Sequence, residues 1–142
     1  MKPISVWIKR VICVVFLLHS VLNMEAQDVL KYTAYSVSYG RISPEDSSVD
    51  WSERVDVNEL VVLNLEKGRL SIYSKEKQEY DFISEAEEVV LEDGRKNFCF
   101  YCIDKNGEEC VVFLWYEDGN GCRGISIVQG VSALFYEIVV RK

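Results

Sequence analysis

Histidine is all but missing from this chain. The single one, His19, stands in an apolar stretch near the N-terminus, and none follows it. That absence removes Ser-His and Cys-His nucleophilic machinery, histidine general bases and zinc sites of mixed Cys and His ligands from the rest of the protein. Clusters of basic side chains are missing as well. The nearest, Lys75 and Lys77, is interrupted by Glu76, so nothing offers the run of Lys and Arg that displaces counterions from a polyanion. Nucleic acid and acidic membrane surfaces are therefore excluded as expected partners. A long hydrophobic run is the third absence. The only candidate, Val11 to Leu22, is broken by His19 and Ser20 and falls short of the roughly 20 residues that a bilayer span needs.

What stands at the N-terminus instead has the shape of a secretory signal. Lys2, Lys9 and Arg10 precede the apolar run, and Asn23-Met24-Glu25-Ala26 turns polar and small behind it. A cut after Ala26 is expected, which makes residues 1–26 a signal peptide and places the remainder outside the cytoplasm, in a periplasm or beyond. Cys13 follows Ile12 and lacks the small neighbour of a lipidated cysteine. The segment could otherwise be a retained anchor or a buried strand, but its basic flank favours the signal. Removal takes three of the 16 basic residues and one of the 23 acidic ones, leaving 13 and 22, a formal charge of −9 on 116 residues. Residues 27–142 have the size of one domain around one core.

Beyond Ala26 the apolar residues recur at period two. Val29 to Tyr39 reads as a first strand, and Gly40 to Ser52, with Pro44 and a cluster of Ser, Asp and Glu, as a long loop ending near Trp51. Val57, Val61, Leu63 and Leu65 share one side of a second strand. Lys67-Gly68 turns it into a third that carries Leu70 and Ile72, and Tyr80 and Phe82 continue in a fourth. Ser84 to Leu91 is ambiguous: Ser84 and Glu87 have the spacing of a helix capping box, while Val89, Val90 and Leu91 suit the strand that we favour. Phe98 to Ile103 and Cys110 to Tyr116 flank Asp104-Lys105-Asn106-Gly107, a strong hairpin signal. Asp118-Gly119-Asn120-Gly121 turns the chain into Ile125 to Val128, and Leu134 to Val140 forms the last strand. No long helix, repeat or low-complexity tract interrupts this series. The expectation is an all-β antiparallel meander of about eight strands, forming a small barrel or a strongly curved sheet. Closure or near closure is expected, because an open sheet leaves unpaired edges.

Four cysteines follow the signal: Cys99, Cys102, Cys110 and Cys122. Cys99 and Cys102 lie three apart on an aromatic strand, where such positions point to opposite faces, so they cannot form a zinc knuckle. If Gly107 takes the left-handed position of a three-residue loop, Cys102 and Cys110 oppose one another and can form a cross-strand disulfide. A two-residue loop would oppose Ile103 to Cys110 instead, and free buried cysteines are the alternative. Asp104, Asn106 and Glu108 alternate like calcium ligands, but Glu109 stands where a calcium loop needs glycine. Glu85, Glu87, Glu88, Glu92 and Asp93 read as a solvated acidic face. No metal site, cofactor or catalytic residue is implied. Among many aromatics Trp51 differs, because it ends a polar loop where it can cap a core or contact a ligand.

Trp51, Leu70-Ser-Ile-Tyr-Ser74 and Tyr101-Cys-Ile-Asp-Lys-Asn-Gly107 with Cys110 together resemble small exported bacterial proteins with a lipocalin-like, or calycin-like, β-barrel. The resemblance implies a barrel and no activity. Val49-Asp50 precede Trp51, so the Gly-x-Trp signature of true lipocalins is absent. Two classes of function remain. One is a non-catalytic exported module of the cell envelope that binds a partner protein or a small ligand at Trp51 and the Gly40 to Ser52 loop. The other is a glycan hydrolase built on two carboxylates, which would need them converging in a cleft.

Overall fold

Alternation in the sequence becomes an antiparallel ladder. The computed structural model describes residues 29–84, 86–117 and 121–141 and forms ten strand segments. They are β1 (Val29–Ile42), β2 (Val49–Trp51), β3 (Val55–Asn64), β4 (Arg69–Tyr73), β5 (Lys77–Phe82), β6 (Glu87–Val90), β7 (Lys96–Asp104), β8 (Glu109–Glu117), β9 (Gly121–Gln129) and β10 (Ser132–Val140). Residues 1–28, Glu85, residues 118–120 and Lys142 lie outside the described residues, and with them the expected signal peptide and most of the expected Asp118 to Gly121 turn. β10 pairs back onto β1 from Tyr32↔Val140 to Arg41↔Ser132, so the sheet closes. Closure satisfies the two edges that an open meander would expose.

Ten segments make eight barrel strands, because two strands are broken. β3 and β2 lie along the same side of β1, opposite Val29–Val37 and Gly40–Ile42 respectively. β5 and β6 share one side of β7 in the same way. A serine bridges each break. The Tyr39 amide donates to Ser52 Oγ at 3.0 Å, and the Tyr101 amide donates to Ser84 Oγ at 3.0 Å. Each hydroxyl accepts the hydrogen bond that a strand carbonyl would otherwise take, so the ladder continues across the interruption. The stretch from Ser84 to Leu91 is therefore strand, over Glu87–Val90.

The expected loop from Gly40 to Ser52 is shorter than its composition indicates. Arg41 and Ile42 continue β1, and Ile42 and Arg41 pair with Val49 and Asp50, which leaves residues 43–48 as the connection. Pro44 and the serines mark only that turn. The β7–β8 hairpin takes the longer of the two registers considered. Gly107 adopts φ 82°, and Cys102 stands opposite Cys110.

The barrel interior is filled. Phe100, Leu63, Leu70, Ile72, Leu114, Ile125 and Ile138 are all fully buried, and Phe82 stacks on Phe100 with ring centroids 4.3 Å apart. Each such side chain contributes about 1.5–3 kcal/mol by leaving water. A polar relay is also built into the interior. Tyr80 Oη donates to Gln78 Oε1 at 2.6 Å, and Gln78 Nε2 donates to Tyr136 Oη at 2.9 Å and Ser74 Oγ at 3.0 Å.

Candidate functional site

With the interior packed, the outside of the barrel decides what the protein can hold, and its two halves differ. The β3–β5 side is polar. Arg69 pairs with Asp81 at 2.6 Å and Glu79 at 3.4 Å, and Lys77 stands 4.9 Å from the Tyr73 ring centroid. The β7–β10 side is aromatic. Following the ladder outward from β7, one exterior row reads Asn97, Trp115, Gly124, Glu137, Ser36, and the next reads Cys99, Phe113, Ser126, Phe135, Ser38. Large rings alternate with residues that have little or no side chain. Asn97, Cys99, Ser126 and Ser36 are buried although they face outward.

Side chains from β2 and the residues after it build one wall of a groove over this face. Gly40 pairs with Trp51, and a Cβ at Gly40 would stand 2.8 Å from the Trp51 ring; only glycine lets the indole lie there. Trp51 then meets Phe135 edge to face at 6.3 Å. Arg54 reaches over β1 in the same direction to pair with Glu137 on β10. Phe135 in turn lies over Gly124, where a Cβ would meet it at 2.9 Å. The other wall is Trp115, whose Nε1 donates to Ser126 Oγ at 2.7 Å and so has a fixed orientation. The result is a groove of about 490 Å³, with Tyr35, Trp51, Trp115 and Phe135 among its rings and Arg95, Arg123, Glu117 and Glu137 among its charges. A second hollow, of about 300 Å³, lies against Trp51 with Tyr39, Arg41 and Asp50.

Trp51 is thus not a cap on the core. It is 44% exposed and stands on the outer wall, whereas the sequence alone left it at the end of a polar loop, capping a core or contacting a ligand. The physical reason is the pairing of Val49–Trp51 with β1, which turns the loop's end into a strand whose odd residues face outward. Sequence reasoning missed Trp115, Phe135 and Tyr35 as members of the site. A signal was present: Cys110 to Tyr116 is apolar at every position, and an antiparallel strand with one wet face should alternate.

The groove's charges are held in pairs. Glu137 accepts from Ser36 Oγ at 2.7 Å and from Arg54, and these bonds hold its carboxyl below the usual glutamate range. Arg123 lies 3.8 Å from Glu117, and Arg95 pairs with Asp93 at 2.7 Å. The Asn97 side-chain oxygen, beside Trp115 in the ladder, is buried with no hydrogen-bond partner. The acidic stretch Glu87, Glu88, Glu92, Asp93 lies on β6 and the turn behind it, exposed to solvent, with Glu88 paired to Lys96 at 3.6 Å.

Cys102 and Cys110 point into the barrel and are free thiols at 0% and 4% exposure. The Cys102 thiol donates to the Phe100 carbonyl at 3.6 Å, and the adjoining Cys110 together with burial raises the pKa of Cys102 while the adjoining Cys102 lowers that of Cys110. Cys99 faces outward opposite Phe113, so it does not share a side with Cys102. Cys122 lies on β9, beyond an intervening strand, and burial pushes its thiol up to about 12. Asp104 Oδ1 accepts from the amides of Asn106 and Glu108, both at 2.9 Å, which accounts for the calcium-like spacing as a hairpin turn. Among the described residues no group of three or more His, Cys, Asp or Glu could hold a metal, and no helix is long and apolar enough to cross a membrane. No family model matches the chain, and no curated protein or solved structure is significantly similar to it.

Proposed function

We propose that this chain is a non-catalytic, exported binding module of the cell envelope whose ligand seat is the aromatic groove on the outer wall of the barrel. One observation carries the reading: the side of the barrel formed by β8, β9, β10 and β1 presents Trp115, Phe135, Tyr35 and Trp51 around a concave surface, while the β3–β5 side is covered by ion pairs. Exposed contiguous aromatic surface on a small domain marks an interaction site, and a volume of about 490 Å³ suits a small or oligomeric ligand. A glycan hydrolase fits less well. Glycoside hydrolysis needs a carboxylic acid that stays protonated, whereas Ser36 and Arg54 hold Glu137 in its ionised form.

The same proposal keeps the chain's resemblance to small exported proteins with lipocalin-like barrels, which by itself implies no activity. A filled interior moves binding from the lumen to the wall. Intrinsic fluorescence tests the reading, because Trp51 and Trp115 are the only tryptophans beyond Trp7 and both line the groove. Titration with a panel of oligosaccharides, short peptides and apolar probes should shift the emission for at least one class, and Phe135→Ala should weaken that response. A panel without any response, or a response indifferent to Phe135→Ala, would overturn it.

A further inference from the structure

Four formal charges line the groove, two of each sign: Arg95 and Arg123 against Glu117 and Glu137. On a chain that carries −9 beyond the signal, this is a locally neutral surface. Charge complementarity therefore points away from ionic ligands of either sign, since a cation would meet the arginines and an anion the carboxylates. A purely apolar ligand is disfavoured too, because it would desolvate the Arg54–Glu137 and Arg123–Glu117 pairs without replacing their hydrogen bonds to water.

The ligand that fits is neutral, has apolar faces to lay on rings, and has many hydroxyls at its edges. Guanidinium and carboxylate groups are planar and can donate to or accept from two neighbouring hydroxyls at once. Aromatic faces carry negative quadrupole and attract the weakly positive C–H bonds of a sugar ring. Trp51 is well placed for this, being 44% exposed and bounding hollows on both the groove side and the β1 edge. Trp115 is locked by its bond to Ser126, so little side-chain freedom is lost when a ligand stacks on it. The Asn97 oxygen next to it has no partner.

From these features, and resting on the binding reading above, we infer that the groove takes a neutral oligosaccharide, stacked on Trp51 and Trp115 and hydrogen-bonded at its edges by Glu137 and Arg123. Recognition is then of the pyranose face and its hydroxyl pattern rather than of charge.

The test is fluorescence titration and calorimetry of the exported chain with maltohexaose, cellohexaose, xylohexaose and chitohexaose, beside polygalacturonate, heparin oligosaccharide, palmitate and a pool of apolar decapeptides. At least one neutral hexasaccharide should bind, with an affinity unchanged within about twofold between 0.05 and 0.5 M salt, because screening acts only on ligand charge. Trp51→Ala should weaken it about tenfold, Trp51→Phe should restore most of that loss, and the melting midpoint of each variant reports whether it has folded. Binding of palmitate or decapeptides with no response to any sugar would sink the oligosaccharide inference and leave the binding module standing. Binding confined to the charged saccharides, with steep salt dependence, would sink it in the same way. Silence from every probe would remove both.

Discussion

Oxidation of the Cys102 and Cys110 pair is the perturbation whose size the structure fixes best. The two residues oppose one another across β7 and β8, and opposed Cα atoms in an antiparallel ladder lie about 4.5–5.5 Å apart, within the range that a disulfide spans. The loop from Cys102 to Cys110 is short, and the chain-entropy relation gives about 2.5 kcal/mol at 25 °C for closing it. For a domain of this size that is a rise in melting midpoint of about 10 °C. Access sets the condition under which the bond forms. Both thiols are buried in the finished barrel, so the native reduced protein should resist oxidants, and linkage should occur during refolding in a glutathione buffer. Refolding with and without reductant, alkylation, peptide mapping and thermal melts measure each step, and a Cys102→Ser, Cys110→Ser double variant should lose the redox dependence. A refolded product whose Cys102 and Cys110 remain free under oxidising conditions, or whose linked form melts no higher than the reduced form, would refute the reasoning. A Cys99 to Cys122 link would contradict the strand order itself, because β8 lies between them.

Phe100→Ala should cost about 3–5 kcal/mol in urea unfolding, as truncating a fully buried ring in a filled core does; a loss under 1 kcal/mol would mean an interior far looser than described. Gly40→Ala should push the Trp51 ring off its seat, raising quenching of tryptophan emission by acrylamide while the melting midpoint changes little, and unchanged quenching would contradict the placement. Glu137 has a lowered pKa, so its contribution to stability is complete above the ordinary glutamate value of about 4.3 and disappears as the pH falls through the lower folded value. The melting midpoint of wild type should therefore exceed that of Glu137→Gln at pH 7, with the gap closing towards pH 3; a gap that widens on acidification would reverse the assignment. Sequencing the N-terminus of the native protein should find Gln27 or a close neighbour, and intact Met1 would exclude cleavage.

The barrel was legible because its determinants are local. Val61-Val62-Leu63 with Leu70-Ser71-Ile72 around Lys67-Gly68 names a hairpin and its inward face, and the Asn106-Gly107 turn names another. The register of the second hairpin was left open between two loop lengths, and Gly107 at positive φ decides it for Cys102 against Cys110. The groove was not legible, for a reason equally physical. Its parts lie on β1, β2, β8, β9 and β10, and they meet only because small residues on β1, Ser36, Ser38 and Gly40, let Trp51 and Arg54 pass over that strand. Nothing local to Trp51 says that a glycine eleven positions earlier lies beneath it. Pro44 and its polar neighbours misled in the opposite sense, since they described a tight turn and suggested a long loop.

The two faces of β8 show why the wall and not the lumen is the place to look for activity. Val112 and Leu114 face inward and are fully buried, as a closed barrel requires. Phe113 and Trp115 face outward, where a barrel strand needs only polar side chains to remain soluble, as Glu79 and Asp81 on β5 illustrate. Folding alone therefore does not explain them. Nor does it explain Gly124 on β9, where glycine weakens a strand by about 0.5–1 kcal/mol relative to alanine. Glycine is needed there because a Cβ would displace Phe135. A strand that accepts that loss to seat a ring on the outside of the molecule is arranged for contact with something beyond its own core, and the neutral, ring-lined groove limits what that something is.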